Sequence, residues 1–248
     1  MITLNSSGDT LDSSFVKVRV DPPSGTILLN RPDKRNALNR PMASQVQRAL
    51  SDLHLERRVK AVIISGTGPS FCAGTDLAQL EETRRQDDHE TLWHEEAMLF
   101  RELLQNLLCF PKPVIAAVNG PAIGLGTGIV LAADIALGST EARFGVPEPN
   151  RGLVAGFVAP LLAFRLGGSH AANLLLRAHL LDAQAALRIG VYQEVVTNEL
   201  LWAKANEIAK QCAQSSPEAL GLTKRLLNET IGEQLSTLLS AGAAAAAT

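Results

Sequence analysis

Aromatic residues are scarce in this 248-residue chain, which has seven Phe, two Trp and one Tyr. So small a set cannot furnish the rings that stack a run of bases, which argues against a single-strand nucleic-acid surface. A basic surplus is missing as well: 23 Lys+Arg face 25 Asp+Glu, for a formal charge of −2. Binding along a phosphate backbone calls for such a surplus, so neither DNA nor RNA is an expected partner. Cysteine is limited to Cys72, Cys109 and Cys212, an odd, widely spaced set without a CxxC pair or a Cys/His spacing for zinc. No metal is expected, and a reducing cytoplasm is the expected location. The longest tempting apolar run, Val154 to Phe164, contains Gly156 and Pro160 and stops at Arg165. It falls far short of the ~20 residues that span a bilayer. The stretch from Met1 to Asp9 has no basic segment leading into an apolar one, so neither a secretory leader nor a membrane partner is expected.

What is present is ordinary globular material, 46% hydrophobic and long enough to bury a substantial core without staples. After a polar, loose first dozen residues, Phe15 to Val20 alternates as a half-buried strand and Thr26 to Leu29 reads as its partner. Asn39-Arg40-Pro41 opens a helix whose stripe is Met42, Val46, Leu50 and Leu53. Ala61 to Ile64 is a buried strand; past a glycine-rich turn, a long helix is expected with Leu92, Leu99, Leu103 and Leu107 on one face. Pro113 to Val118 and Asp134 to Leu137 are further strands, with a short apolar helix between them ending near Ala133. From about residue 156 the pattern turns helical, over Phe157–Leu166, His170–Arg177, Ala183–Arg188, Leu200–Cys212 and Pro217–Leu227. The expected fold class is α/β, with a helical C-terminal lobe.

Two strand-to-helix turns, Ala73-Gly74-Thr75 and Gly124-Leu125-Gly126, would each present unpaired backbone N–H groups where the helix dipole favours negative charge. Together they would suit a carbonyl oxygen that becomes negative; one such donor is worth roughly 3 kcal/mol in a transition state. Gly124-x-Gly126-x-Gly128 lacks the third glycine of a dinucleotide fingerprint, because Ile129 stands there, and arrives too late for a first βαβ unit. His89 and His94, with Asp87, Asp88, Glu90, Glu95 and Glu96, do not reproduce HExxH and read as a solvated helix face. Cys72 has no His/Asn partner pattern and reads as a small core residue, and Asp134 as a structural group at a strand edge.

Four segments in register carry a resemblance. Leu29-Asn30-Arg31-Pro32 through Asn36-Ala37-Leu38-Asn39, Phe71-Cys72-Ala73-Gly74-Thr75-Asp76-Leu77, Pro113-Val114-Ile115-Ala116-Ala117-Val118-Asn119-Gly120 and Ala142-Arg143-Phe144-Gly145-Val146-Pro147-Glu148 are similar to the signatures of the crotonase, or enoyl-CoA hydratase/isomerase, superfamily. The resemblance runs over roughly residues 15 to 230. It implies a crotonase-like spiral of ββα units over 1–195, a helical trimerisation region over 196–248, and a homotrimer or hexamer. It also implies an acyl-CoA thioester whose carbonyl is held by two backbone amides and which reacts through an enolate. No separate cofactor is expected, since coenzyme A is part of the substrate.

Carried over residue by residue, the oxyanion amides fall on Thr75 and Leu125, with Leu125 replacing the family's middle glycine. Acyl-CoA contacts map onto Arg35 near the phosphates, Ala37 and Leu38 beside the pantetheine, and Ala73, Asp76 and Leu77 around the adenine and thioester. The family's hydratases use two glutamates. Gly128 stands where the first belongs, and Glu148 occupies the second place as the acid/base candidate, in a proline-rich, apolar segment that would raise its pKa. One carboxylate suits moving a double bond and also permits hydration if it alone handles the water. Alternatives on the same scaffold are a catalytically silent acyl-CoA-binding or assembly protein and a CoA-thioester hydrolase. The family's PGxGG segment is altered to Val154-Ala155-Gly156-Phe157-Val158-Ala159-Pro160, which places Phe157 and Val158 where the acyl pocket is lined in relatives. In place of the family's last amphipathic helix and basic, aromatic tail, this sequence runs to an alanine-rich end from Ala241.

Overall fold

The computed structural model describes residues 14–246, and within the last helix the side chains of 229–233 and 246 are outside the description. The loose segment expected over the first dozen residues lies outside the described residues. In chain order the elements are β1 (Val16–Asp21), β2 (Ser24–Leu29), α1 (Arg40–Leu55), β3 (Ala61–Gly66), α2 (Leu77–Arg84), α3 (His89–Cys109), β4 (Val114–Val118), β5 (Ala122–Ile123) and α4 (Leu125–Ala132). There follow β6 (Ile135–Ser139), β7 (Arg143–Gly145), α5 (Ala159–Arg177), β8 (Leu180–Asp182), α6 (Ala183–Arg188), β9 (Glu194–Val196), α7 (Asn198–Cys212) and α8 (Pro217–Ala246).

A six-stranded sheet runs β1-β2-β3-β4-β6-β9, parallel except for the β1–β2 hairpin, and a small sheet runs β5-β7-β8. Because side chains alternate across a strand, the central strands bury both faces and read as continuous apolar runs. Val62, Ile64, Val114, Ala116 and Val118 join the main core with α1, α3 and α4. On the opposite face Ala61, Ile63, Ile115, Ala117 and Leu137 meet Leu201, Ala205, Ile208 and Ala209 of α7. The expected division at residue 195 falls inside β9, and α7 covers the back of the sheet.

Local chemistry explains the element boundaries. Asn39 caps α1 by accepting from the Met42 N–H at 2.9 Å, with Pro41 in the first turn. The single long helix expected before β4 is two: Asp76 caps α2, and α3 begins after a turn through Asp87 and Asp88. The expected stripe on α3 holds in part: Leu103 and Leu107 are fully buried and Leu99 packs against the core, Leu92 is half-buried, and Glu96, Ala97, Phe100, Leu104 and Leu108 complete the buried face. Two expected helices merge into α5 across a kink at Gly167, whose φ of 78° only glycine adopts without strain. The helix expected to stop at Leu227 continues to Ala246, alanine being the strongest helix former. Among the described residues no helix is long and apolar enough to cross a membrane, and no three His, Cys, Asp or Glu side chains converge as metal ligands.

Candidate active site

Two glycine turns are stitched side by side at the heart of the molecule. The Cys72 N–H donates to Pro121 O at 3.1 Å and the Ile123 N–H to Cys72 O at 2.9 Å, which lays the 72–75 turn along the 122–125 turn. Gly74 has φ 90°, and a Cβ there would stand 2.8 Å from Ile123 O and 3.3 Å from Leu125 N. The strip from Arg35 to Leu38 runs along the other side: Ala73 N–H donates to Arg35 O, Leu38 N–H to Gly74 O and Asp76 N–H to Leu38 O. That pairing turns the Thr75 N–H away from the strip. Leu125 opens α4, where the first N–H groups have no partner within the helix. Neither amide donates a hydrogen bond among the described residues, and both residues line one cavity of about 80 Å³. Two free N–H groups in one cavity suit a carbonyl oxygen that gains negative charge.

Glu148 enters the same cavity from the turn after β7. The Gly124 N–H donates to Gly145 O at 3.0 Å, and the Thr127 hydroxyl, placed between Ala122 O and Gly145 O at 3.0 Å each, ties α4 to β7. These bonds bring the Glu148 carboxylate against Gly124, whose φ is 55° and where any Cβ would collide with Glu148 Oε1. Glu148 Oε2 is buried without a hydrogen-bond partner. Burial pushes this carboxyl above the usual range, and nearby Arg151 pulls back. A carboxylate so placed, beside a free amide of the neighbouring residue, can hold and return a proton next to the carbonyl.

Gly128 is more than a missing side chain. A Cβ there would meet Leu104 Cδ2 at 3.3 Å and Val158 Cγ2 at 3.6 Å, so the surroundings of position 128 are apolar. Of the other residues mapped from the sequence, Ala73 and Leu77 line the cavity. Leu38 is fully buried in the adjoining strip, Ala37 is half-buried and accepts from Arg31 Nη1, and Arg35 is exposed with φ 51°. Asp76 spends its carboxylate inside the protein, capping α2 at the Ala78 N–H and pairing with Arg31 at 2.8 Å. Asn36, also left-handed at φ 54°, is buried, and its side chain bonds Arg31 N, Thr67 O and Ser70 O. This asparagine fixes the whole 31–38 loop.

Cys72 is fully buried, and desolvation pushes its thiol up to about 12, which leaves no thiolate for nucleophilic work. Asp134 accepts from the Val114 N–H and pairs with Lys224, a structural use at the strand edge. Glu96 departs from the sequence reading, which set it on a solvated face. It is 4% exposed, lines the cavity and pairs with Arg40 Nε at 2.9 Å. Burial raises its carboxyl above the usual range against the pull of Arg40. Trp93, one turn earlier, lines the cavity too. The signal was legible: Glu96 lies at helical spacing from Phe100, Leu103 and Leu107, a carboxylate on an apolar stripe.

Fold and site together define an α/β protein with a cavity between two backbone turns and a buried carboxylate. The enoyl-CoA hydratase/isomerase family model matches residues 25–246. A short-chain-enoyl-CoA hydratase of Clostridium acetobutylicum is 33% identical over 216 residues, covering 86% of this chain and 81% of that one. A 2,3-dehydroadipyl-CoA hydratase of Escherichia coli is 32% identical over 209 residues, covering 82% and 78%. The crystal structure of an enoyl-CoA hydratase/isomerase from Xanthobacter autotrophicus Py2 superposes with a TM-score of 0.87 at 30% identity, covering 94% and 86%. The chain belongs to the enoyl-CoA hydratase/isomerase family, within the crotonase superfamily, and is an acyl-CoA-processing enzyme of that type.

Proposed function

We propose that this enzyme moves the double bond of an enoyl-CoA between the 3,4 and 2,3 positions, with Glu148 as its acid/base. The observation that carries this reading is the glycine at 128, beside Leu104 and Val158, which leaves Glu148 as the carboxylate pressed against the 124–125 turn, while the cavity's other carboxylate, Glu96, is engaged by Arg40 and Gln79. The Glu148 carboxylate takes a proton from C2 of a 3-enoyl thioester, and the electron pair moves into the carbonyl. The enolate oxygen is held by the Thr75 and Leu125 N–H groups. Protonated Glu148 then gives the proton to C4 as the charge returns, which leaves a 2,3 double bond and an unchanged enzyme. No cofactor enters beyond the coenzyme A of the substrate. Arg35, Ala37, Leu38, Ala73, Asp76 and Leu77 form the strip along which that CoA moiety lies, and the working assembly is a homotrimer or hexamer.

A second reading, hydration of a 2-enoyl thioester with Glu148 handling the water alone, is favoured by the hydratase names of the relatives. Turnover of 2-enoyl-CoA and 3-enoyl-CoA panels in heavy water separates the two. Deuterium at the α or γ carbon with a shifted double bond is the expected result; a water adduct from 2-enoyl substrates makes it a hydratase. Free CoA as product points to a hydrolase, and binding without conversion to a silent scaffold. Glu148→Gln should lower kcat at least about 100-fold while thioester binding persists, and full activity in that variant removes Glu148 from the mechanism.

A further inference from the structure

One wall of the cavity that holds Glu148 is the segment leading into α5, from which Val154, Ala155, Phe157 and Val158 line the space, and Phe157 meets Phe100 of α3 edge-on at 6.1 Å. Gly156, between them, is missing from that wall. It is buried against α8 instead: a Cβ on Gly156 would strike Gly242 O, and a Cβ on Gly242 would strike Gly156 O. Neither glycine has a positive φ, so the close approach, and not a turn, is what requires both. Two backbones in direct contact leave no flexible side chain to absorb a shift, and a close-packed interior passes such a shift on.

The facing wall is tied to the same stretch of α8. Ala97 and Phe100 of α3 line the cavity, and Arg101, next to Phe100, donates from Nη1 to Ser240 Oγ at 3.0 Å. Ser240 donates in turn to Ser236 O at 2.9 Å within the helix. Leu239, 2% exposed, seats this end of α8 in the core that also takes Ala155, Val158 and Phe100. The last turns of α8 therefore reach both sides of the Phe100–Phe157 pair, although no described residue of α8 lines the cavity.

Resting on the acyl-CoA reading above, we propose that α8, through the contact of Gly242 with Gly156, sets how far Phe157 stands from Phe100 and so fixes the length of acyl chain that the cavity admits. A rigid apolar wall discriminates by size, since each methylene beyond it fits only if the wall moves. Gly242 acts through Phe157 and touches no substrate, which makes it a positioning residue. A methyl group at 242 pushes Gly156 away from α8 and carries Ala155 and Phe157 with it into the cavity.

The test is a series of 3-enoyl-CoA and saturated acyl-CoA thioesters of increasing chain length, followed by kcat/KM and by calorimetric affinity. Wild-type affinity should rise with length and then break off. In Gly242→Ala the break should come at a shorter chain, with the longest thioester that wild type accepts losing about tenfold or more relative to the shortest, the scale of about one methylene misfitted in a hydrophobic pocket. Leu239→Ala loosens the seat of the helix and should move the break to a longer chain. A loss in Gly242→Ala that is equal at every length is that of a merely structural change and overturns the inference, as does wild-type affinity without a break. If Gly242→Ala does not fold, Leu239→Ala decides alone, and an unchanged break there overturns the inference. A break that shifts while 3-enoyl thioesters are bound but not converted supports the inference and overturns the double-bond reading.

Discussion

At the scale of single residues, the site is a contest over one carboxylate. In the proposed reaction Glu148 must be ionised to take a proton, yet burial favours its neutral form and Arg151 supplies an opposing pull. The acid limb of kcat/KM for the free enzyme therefore lies above the ordinary carboxylate range, with activity lost as pH falls through it. Arg151→Ala removes the stabilising guanidinium, so the limb should move to higher pH; a pH–rate profile that stays put or moves lower contradicts the electrostatic assignment. Which residues hold the loops was partly legible. The glycines at 74 and 124 read as turn formers, as their φ of 90° and 55° bear out, but that the Glu148 carboxylate lies against Gly124 depends on β7 returning beside α4. Asn36 and Asn119 stand in recognised motifs, yet their work became visible only as hydrogen bonds: Asn119 accepts from the Gly66 N–H at 3.0 Å and donates to Gly68 O at 2.9 Å.

Among elements, α8 carries most of what periodicity did not show. It packs along α3 and α5, and its Lys224, 8% exposed, donates to Asp134 Oδ2 at 2.7 Å, Leu107 O at 3.2 Å and Lys112 O at 3.4 Å. Burial pulls the ammonium below the usual lysine range, while Asp134 pushes back. Because Asp134 also takes the Val114 N–H, this one carboxylate joins the last helix to the middle strand of the sheet. Lys224→Ala leaves that acceptor half-satisfied in a largely buried place and should cost about 2–3 kcal/mol in denaturant unfolding. A change within about 0.5 kcal/mol would mean that the pair contributes little beyond an exposed one. Further along, Gly242 of α8 crosses Gly156 so closely that a Cβ on either would strike the other's carbonyl oxygen. The segment bearing Phe157 is thereby braced by the end of the chain. A helix pattern alone could not show such a crossing, since it reports a face and not a neighbour.

Across the whole molecule, α8 leaves Leu222, Leu227 and Leu238 exposed at 61%, 65% and 52%. Exposed apolar side chains on this helix are available to the subunit contacts of the proposed assembly. The proposed trimer or hexamer should appear in light scattering of the purified protein at micromolar concentration; a clean monomer there would overturn it. The architecture behind that surface follows from simple patterns. Apolar strands alternating with helices led to the α/β class, and the four motifs led to the family, while the parallel pairing and the cover on both faces of the sheet belong to the fold itself.

The linear order of residues determined the class of fold and the two amide-bearing turns, because each rests on local chemistry, strand alternation and the conformational freedom of glycine, while the acid/base candidate came from the resemblance of the 142–148 segment to the family's signature. Tertiary structure decided what shares a cavity. Residues 75, 125 and 148 meet there because the Cys72–Ala122 bridge and the β5–β7 pairing fold distant turns together. The same packing sets Leu104 and Val158 beside Gly128, and turns Glu96 inward from a run of charges that reads as solvated. Burial is a property of what covers a residue, and for Glu96 the cover comes from α1 and α2, far from it in sequence.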